Sequence, residues 1–84
     1  MSENLSQILI FINSIDPYNM LQYGEPDIYI KEAKLLLYEK ILTPGKVKDI
    51  FYIGYNKYIN DTTSRDIYNF VYSIKPKNKF LLYK

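Results

Sequence analysis

Cysteine, histidine and tryptophan are all absent from this 84-residue chain. Without cysteine there can be no disulfide and no cysteine-ligated zinc site, and the absence favours a cytosolic setting. Without histidine the chain lacks the commonest metal ligand and the commonest general base. The usual serine and cysteine nucleophiles, which need such a base, are therefore excluded. No glycine-rich phosphate loop takes their place, so we expect a protein that is not an enzyme and has no cofactor.

Long apolar runs are also missing. The longest, residues 8–12, has five residues, whereas a helix that crosses a bilayer needs roughly 20. Residues 1–4 are not basic, and no small-residue cleavage site follows them, so we expect no signal peptide. These absences predict a cytoplasmic protein without a membrane segment or a membrane partner.

The residues that are present favour one globular domain. Hydrophobic residues make up 48% of the chain and aromatic residues 17%, which is enough for a packed core and too much for a disordered chain. A chain of 84 residues can bury one core but not two. Isoleucine, tyrosine, lysine and asparagine have codons rich in A and T, and their abundance favours a low-GC bacterium or its phage as the source.

Apolar spacing and capping residues predict four helices and a C-terminal tail. In the first helix, apolar side chains recur at the spacing of one helical face. Pro17 ends it, because the residue before a proline avoids helical geometry. The second helix opens at Pro26, and its apolar residues cover more than one face, which predicts the most buried helix of the four. The predicted helices span residues 2–14, 26–42, 44–60 and 63–75, and the tail spans residues 76–84.

Capping residues and prolines set the remaining boundaries. Thr43 and Pro44 together end the second helix and begin the third. Thr63, with an acidic residue three positions later, resembles a capping box that begins the fourth. Residues 18–24 are apolar enough to fold back onto the core. Short helices with short connections predict an all-α fold, a compact four-helix bundle or orthogonal array, in one domain over residues 1–84 with a short basic tail.

Gly54 lies on the apolar face predicted for the third helix. Glycine costs about 1 kcal/mol relative to alanine inside a helix, so its presence there needs a reason. We expect another helix to approach the third helix closely at this position, and a kink or a ligand contact is the alternative.

Short motifs in the first half of the chain resemble those of a known family. They are Asp16-Pro17, then Gly24-Glu25-Pro26, then Tyr29-x-x-Glu32 inside an apolar helix. With these motifs in this order and an aromatic-rich third helix, the chain resembles the YugE-like (DUF1871) family of short bacterial proteins over residues 5–75. The resemblance implies an all-helical fold of about this length and supplies no established function.

Four acidic residues cluster in the same part of the sequence, at Asp16, Glu25, Asp27 and Glu32. Clustered carboxylates can bind a divalent cation or act as an acid–base pair, but this spacing matches no calcium loop. Glu25 and Asp27 stand where a helix N-terminus favours negative charge, and Asp16 stands where a loop needs local hydrogen bonds. We therefore expect these residues to serve structure, and predict no catalytic residue and no metal site.

Charge divides the chain into an acidic first half and a basic second half. Residues 1–45 carry a net charge of −3 and residues 46–84 a net charge of +5. A basic half could face nucleic acid, with the third or fourth helix against the bases and the tail lysines on phosphates. The sequence contains one arginine, however, and specific readers of nucleic acid favour arginine. Nucleic-acid binding is therefore the alternative hypothesis.

The ten tyrosines support the hypothesis that we favour. Tyrosine is a frequent anchor in protein interfaces, and several tyrosines stand on helix faces that the predicted core does not use. We expect a small non-enzymatic protein–protein interaction module of the immunity, antitoxin, defence-inhibitor or regulator type. A homodimer would use the same surface. The candidate partner-binding residues are Tyr52, Tyr55, Tyr68, Tyr72, Lys75, Lys77 and Lys79.

Overall fold

The computed structural model describes residues 2–75, and its helices confirm the predicted all-α fold. This part of the chain contains no β-strand. It forms four α-helices and one short 3-10 helix: α1 (Glu3–Ile15), the 3-10 helix (Leu21–Tyr23), α2 (Ile30–Tyr38), α3 (Pro44–Tyr55) and α4 (Asp61–Ile74). The predicted tail lies outside the described residues.

Each helix packs against two others, so the four helices surround one core. α1 packs against α2 and α4, and α3 packs against the same two helices. No helix among residues 2–75 is long and apolar enough to cross a membrane. The buried apolar side chains are Leu5, Ile8, Leu9, Ile12, Tyr29, Ala33, Leu36, Val47, Ile50, Phe51, Ile59, Ile67 and Val71.

Side-chain caps fix where α1 and α3 begin, and the sequence predicts the cap of α3. The hydroxyl of Ser2 accepts a hydrogen bond from the amide of Leu5 at 3.1 Å at the start of α1. At the start of α3, the hydroxyl of Thr43 accepts from the amide of Lys46 at 3.1 Å, and Pro44 follows at the first helical position.

The connection between α3 and α4 differs from the prediction. The predicted third helix reaches residue 60, whereas α3 ends at Tyr55 because Asn56 adopts the left-handed conformation, with a φ of 57°. α4 begins at Asp61, earlier than predicted, because Asn60 caps it by accepting a hydrogen bond from the amide of Thr63 at 2.7 Å. Residues 56–60 are therefore a connection and not helix.

α2 is shorter than predicted at both ends, spanning residues 30–38 where the prediction has 26–42. At its start, the carbonyl oxygen of Pro26 accepts a hydrogen bond from Nδ2 of Asn13 on α1 at 2.9 Å. The amide of Ile30 donates instead to the carbonyl of Asp27, at 3.0 Å, in a tight turn. A contact with α1 thus delays the start of the helix.

The end of α2 is held by the C-terminal end of α4. Nζ of Lys75 donates hydrogen bonds to the carbonyl oxygens of Leu36 and Glu39, which satisfies groups that a longer helix would bond internally. Three of the nine residues of α2 are buried, a share similar to that of α1, so the prediction that α2 is the most buried helix stays a prediction. Leu35 and Tyr38 are exposed, because the shortened helix contacts α1 and α3 and leaves its remaining apolar surface outside.

The connection between α1 and α2 folds back onto the core, as its apolar residues predict. Asp16 ends α1 in the left-handed conformation, with a φ of 49°, and the chain turns back from that point. Tyr18, Met20 and Leu21 then pack against the buried cluster.

Candidate functional site

A hydrogen-bonded pair, Asp16 and Tyr29, organises the loop that follows α1. Tyr29 is fully buried, and its hydroxyl donates to Oδ1 of Asp16 at 2.6 Å. The same carboxylate oxygen accepts from the amide of Met20 at 2.9 Å, and the amide of Tyr18 donates to the Tyr29 hydroxyl at 3.1 Å. Burial and the hydrogen bond to Asp16 raise the pKa of Tyr29. Asp16 therefore makes the local hydrogen bonds that the sequence predicts for it.

Tyr55, a predicted partner-binding residue, belongs to this interior cluster. Its ring stacks on that of Tyr18 with the centroids 4.3 Å apart, and its hydroxyl donates to the carbonyl of Ile28 at 3.4 Å. Burial, together with the negative charge of Glu32, raises the pKa of Tyr55 to about 12. The loop that carries Tyr18 covers the side of α3 on which Tyr55 stands, and helical spacing alone does not reveal this cover.

Glu32 of α2 is a buried carboxylate, with 4% of its surface exposed. Its Oε1 has no hydrogen-bond partner among the described residues, and desolvation raises the pKa of Glu32. Its other oxygen, Oε2, lies so close to Gly54 of α3 that a Cβ atom there would overlap it. The close neighbour predicted for Gly54 is therefore the Glu32 side chain of α2. Within residues 2–75, no group of three or more acidic, histidine or cysteine side chains is placed to hold a metal ion.

Two pairs of stacked tyrosines lie on the outside of the protein. The rings of Tyr52 and Tyr58 have centroids 4.4 Å apart and planes inclined by 22°. The rings of Tyr68 and Tyr72 have centroids 5.8 Å apart and planes inclined by 24°. Tyr58 and Tyr72 are more than half exposed, whereas Tyr68 is partly buried. These are aromatic groups that solvent reaches but that neighbouring rings hold in place.

Tyr52 and the Tyr68–Tyr72 pair stand on stripes of α3 and α4 that one ion pair links. Tyr52 stands one turn after Lys48 on α3, and Tyr68 and Tyr72 stand on the same stripe of α4 as Asp61, at helical spacing. An ion pair between Lys48 and Asp61 joins the two stripes, and the hydrogen bond from Lys48 lowers the pKa of Asp61. We call this the tyrosine surface, and define it by four residues, Tyr52, Tyr58, Tyr68 and Tyr72.

Tyr58 reaches this surface because the chain reverses after α3. The amide of Asn56 donates to the carbonyl of Tyr52 at 2.7 Å as the helix ends, and the buried side chain of Ile59 anchors the segment that follows. The predicted helix over residues 44–60 misses this reversal, because helical spacing would place Tyr58 one turn after Gly54 on the same apolar face. Asn56 is the signal that could have found it, because asparagine tolerates the left-handed conformation that ends many helices.

A cleft of about 430 Å³ opens beside Tyr58. It lies between residues 17–19, which follow α1, and residues 57–60, which precede α4, and Thr63 also lines it. The hydroxyl of Tyr18 donates to the carbonyl of Lys57 at 2.5 Å and so joins the two walls. The cleft therefore borders the tyrosine surface where the α3–α4 connection turns.

Of the three lysines among the predicted partner-binding residues, Lys75 is the one within the described part of the chain. Lys75 donates to carbonyl oxygens of α2, and its partial burial lowers its pKa. Its described contacts thus tie the end of α4 to the end of α2. Lys77 and Lys79 lie outside the described residues.

Comparison of the chain with protein-family models, with curated proteins and with solved structures gave no match. The resemblance to the YugE-like family therefore stays a prediction that depends on the motif residues. The tyrosine surface with its adjoining cleft is the candidate site.

Proposed function

We propose that this protein is a small non-enzymatic protein–protein interaction module that binds its partner through the tyrosine surface. It would belong to the immunity, antitoxin, defence-inhibitor or regulator type, in a bacterium or a phage. The observation that carries the proposal is the two stacked tyrosine pairs, Tyr52–Tyr58 and Tyr68–Tyr72, in which Tyr58 and Tyr72 are more than half exposed.

Stacking makes these side chains suited to binding. A tyrosine supplies a large contact area with few rotatable bonds, so little side-chain entropy is lost when it is fixed. Each ring here already rests on another, which lowers the cost of ordering that association has to meet. Interfaces concentrate their binding free energy in a few such residues, where truncation to alanine costs about 2 kcal/mol or more.

The alternative of catalysis has less support among the described residues. The groups with raised pKa values are set inside the fold, where Tyr29 bonds to Asp16 and Glu32 is covered. Tyr55, whose pKa is also raised, stacks against Tyr18. Burial is the largest cause of each of these shifts, and of the raised pKa of Tyr18, and we therefore favour binding over chemistry.

Two of the cations that nucleic-acid binding would use are already engaged in contacts within the protein. Lys48 pairs with Asp61, and Lys75 bonds to carbonyl oxygens of α2. A nucleic-acid surface needs several free lysines or arginines to neutralise phosphates. Fewer cations than the sequence predicts are available for that purpose, and the tyrosines remain the stronger feature.

Affinity purification from a lysate of the source cell tests the proposal, with two double variants of the tagged chain. Tyr58→Ala with Tyr72→Ala truncates the tyrosine surface. Tyr23→Ala with Tyr38→Ala is the matched control, because those tyrosines are more exposed, at 75% and 69%, and lie on the 3-10 helix and α2.

We expect a stoichiometric protein partner that the wild type and the control retain and that the surface variant loses. If the surface variant and the control retain the partner equally, the interface lies elsewhere on the protein. A wild-type chain that captures no protein and sediments only as a monomer would remove the proposal.

A further inference from the structure

The buried carboxyl group of Glu32 lies beneath the connection that follows α1. Glu32 stands in the first turn of α2, and its Oε2 rests against Gly54 of α3. Its Oε1 has no hydrogen-bond partner among residues 2–75. Tyr55 follows Gly54 in the chain, and the ring of Tyr18 stacks on the ring of Tyr55. The connection that carries Tyr18 therefore covers the region where Glu32 meets α3.

The tyrosine hydroxyls of this region donate to other groups. Tyr18 donates to the carbonyl of Lys57 at 2.5 Å, and Tyr55 donates to the carbonyl of Ile28 at 3.4 Å. Burial, and after it the negative charge of Glu32, raise the pKa of both tyrosines, so a charge on Glu32 acts on both rings. A buried carboxylate without donors is costly, and the closed structure therefore favours the neutral form of Glu32.

The charged groups around Glu32 do not offset this cost. Desolvation raises the pKa of Glu32 more than its own amide and the exposed cation of Lys31 lower it. α1 carries one ionisable side chain, Glu3, in its first turn, whereas its last turn contacts the residues before α2. On α3, Lys48 is paired with Asp61. The other charged residues of α3, of the connection after it and of residues 24–34 are exposed, namely Glu25, Asp27, Lys34, Lys46, Asp49 and Lys57.

Asp16, the carboxylate at the start of the connection, acts in the opposite direction. Its Oδ1 accepts hydrogen bonds from the hydroxyl of Tyr29 and the amide of Met20, and these bonds are strongest when Asp16 is charged. Protonation of Asp16 would loosen the connection as pH falls, whereas ionisation of Glu32 would loosen it as pH rises. The direction of a pH dependence therefore distinguishes the two carboxyl groups.

The connection is the part of this cover that moves at the lowest cost. Every residue from 17 to 24 is half-buried or exposed. α3, on the other side of Glu32, places the buried side chains of Val47, Ile50 and Phe51 in the core. Segments with few buried apolar contacts open at a lower free energy than the core does. Water would therefore reach an ionised Glu32 through movement of the connection and not of α3.

We infer that residues 17–24 form a flap that is closed over a neutral Glu32 and opens when Glu32 ionises. In the open state the carboxylate of Glu32 reaches water, and the hydrogen bond from Tyr18 to the Lys57 carbonyl is broken. Residues 17–19 form one wall of the cleft beside Tyr58, so opening of the flap changes that cleft. The inference goes beyond the proposed function, because the flap opens whether or not the tyrosine surface binds a partner.

Labelling of introduced thiols by a pyridyl disulfide measures the opening, since the wild-type chain contains no cysteine. Met20→Cys places a thiol in the flap, at a residue that packs against the core. Val71→Cys places one at a fully buried position of α4, where labelling needs global unfolding. Ser73→Cys, at an exposed position, gives the intrinsic rate at each pH. Each thiol is combined with native Glu32, with Glu32→Gln, and with Glu25→Gln as the matched exposed control.

We expect the Met20→Cys thiol to label at least about tenfold faster than the Val71→Cys thiol, because the flap opens without global unfolding. Relative to Ser73→Cys, its labelling should rise as pH increases above 4.5, the ordinary pKa of a glutamate. The rise should reach at most about tenfold per pH unit, because opening releases one proton, and should then level off. It should persist with Glu25→Gln and vanish with Glu32→Gln.

Four results would overturn the inference. Equal labelling of the flap and core thiols would show that the connection opens only when the whole protein unfolds. The same rise with Glu32→Gln would assign the pH dependence to another group, and labelling that increases only as pH falls would assign it to Asp16. With native Glu32, a change below about threefold between about pH 4 and about pH 8, equal to about half a pKa unit, would contradict it without any variant of Glu32. Urea unfolding at the same pH values confirms that each labelled protein is folded.

Discussion

Replacing Gly54 by alanine tests the contact between α2 and α3 directly. The added methyl group would overlap Oε2 of Glu32, whose Cδ lies 3.5 Å from the same position. Since Oε2 is the end of a flexible side chain, the overlap is relieved only if the carboxylate of Glu32, which is 4% exposed, rotates away from α3. The substitution should therefore act through Glu32.

The magnitude follows from two opposing effects. Overpacking of this kind typically costs about 1–3 kcal/mol, whereas alanine is favoured over glycine inside a helix by about 1 kcal/mol. We expect Gly54→Ala to lower the free energy of unfolding by about 0–2 kcal/mol, the difference between these effects. In a Glu32→Ala background the overlap is gone, and the same substitution should raise the free energy of unfolding by about 1 kcal/mol.

Urea unfolding of the four proteins in this double-mutant cycle, followed by circular dichroism, measures the coupling. Gly45, also in α3, is the matched control because a Cβ there lies 3.8 Å from the Thr43 hydroxyl, at ordinary contact distance. Gly45→Ala should have the same effect with and without the Glu32 side chain. If the effect of Gly54→Ala on the free energy of unfolding is also the same with and without the Glu32 side chain, contact with Glu32 is not the reason that residue 54 is glycine.

Three further substitutions test the interior and the connection next to the surface. Glu32→Gln should flatten the dependence of stability on pH, measured by urea unfolding, whereas the exposed Glu25→Gln should not. Burial raises the Glu32 pKa from 4.5, so the stability that Glu32 contributes is fully present below that value and is lost as pH rises through the folded-state pKa. Tyr29→Phe should lower the free energy of unfolding by about 1.5–3 kcal/mol, because it removes a hydrogen bond to the Asp16 carboxylate, and a loss under about 0.5 kcal/mol would contradict this role. Asn60→Ala should cost about 1 kcal/mol in the same assay through loss of the α4 cap; an unchanged midpoint would argue against the cap.

The helix boundaries that the sequence predicts well are those set by neighbours in the chain. Ser2 begins α1 through a cap to its own first turn, and Thr43 with Pro44 does the same for α3. The ends of α2 depend instead on distant partners. Asn13 takes the carbonyl of Pro26, and Lys75 reaches the carbonyls at the other end. Contacts of this kind do not appear in apolar spacing or in local propensity.

The candidate surface was predictable in part for the same reason. Helical spacing identifies Tyr52, Tyr68 and Tyr72 as lying off the core stripes, and in the structure Tyr68 stacks on Tyr72. Tyr55 looks equivalent to them in the sequence, but the loop around Tyr18 covers it. Tyr58 joins the surface through the reversal at Asn56, which a continuous helical pattern conceals.

Photo-crosslinking from within the tyrosine surface is the most direct test of the central claim. A photoreactive phenylalanine analogue replaces Tyr58 or Tyr72 in one set of proteins and Tyr23 or Tyr38 in a control set, and each is irradiated in a lysate of the source cell. We predict that one partner protein forms adducts at positions 58 and 72 and not at 23 and 38. Adducts confined to positions 23 and 38, or equal at all four, would contradict the assignment of binding to this surface.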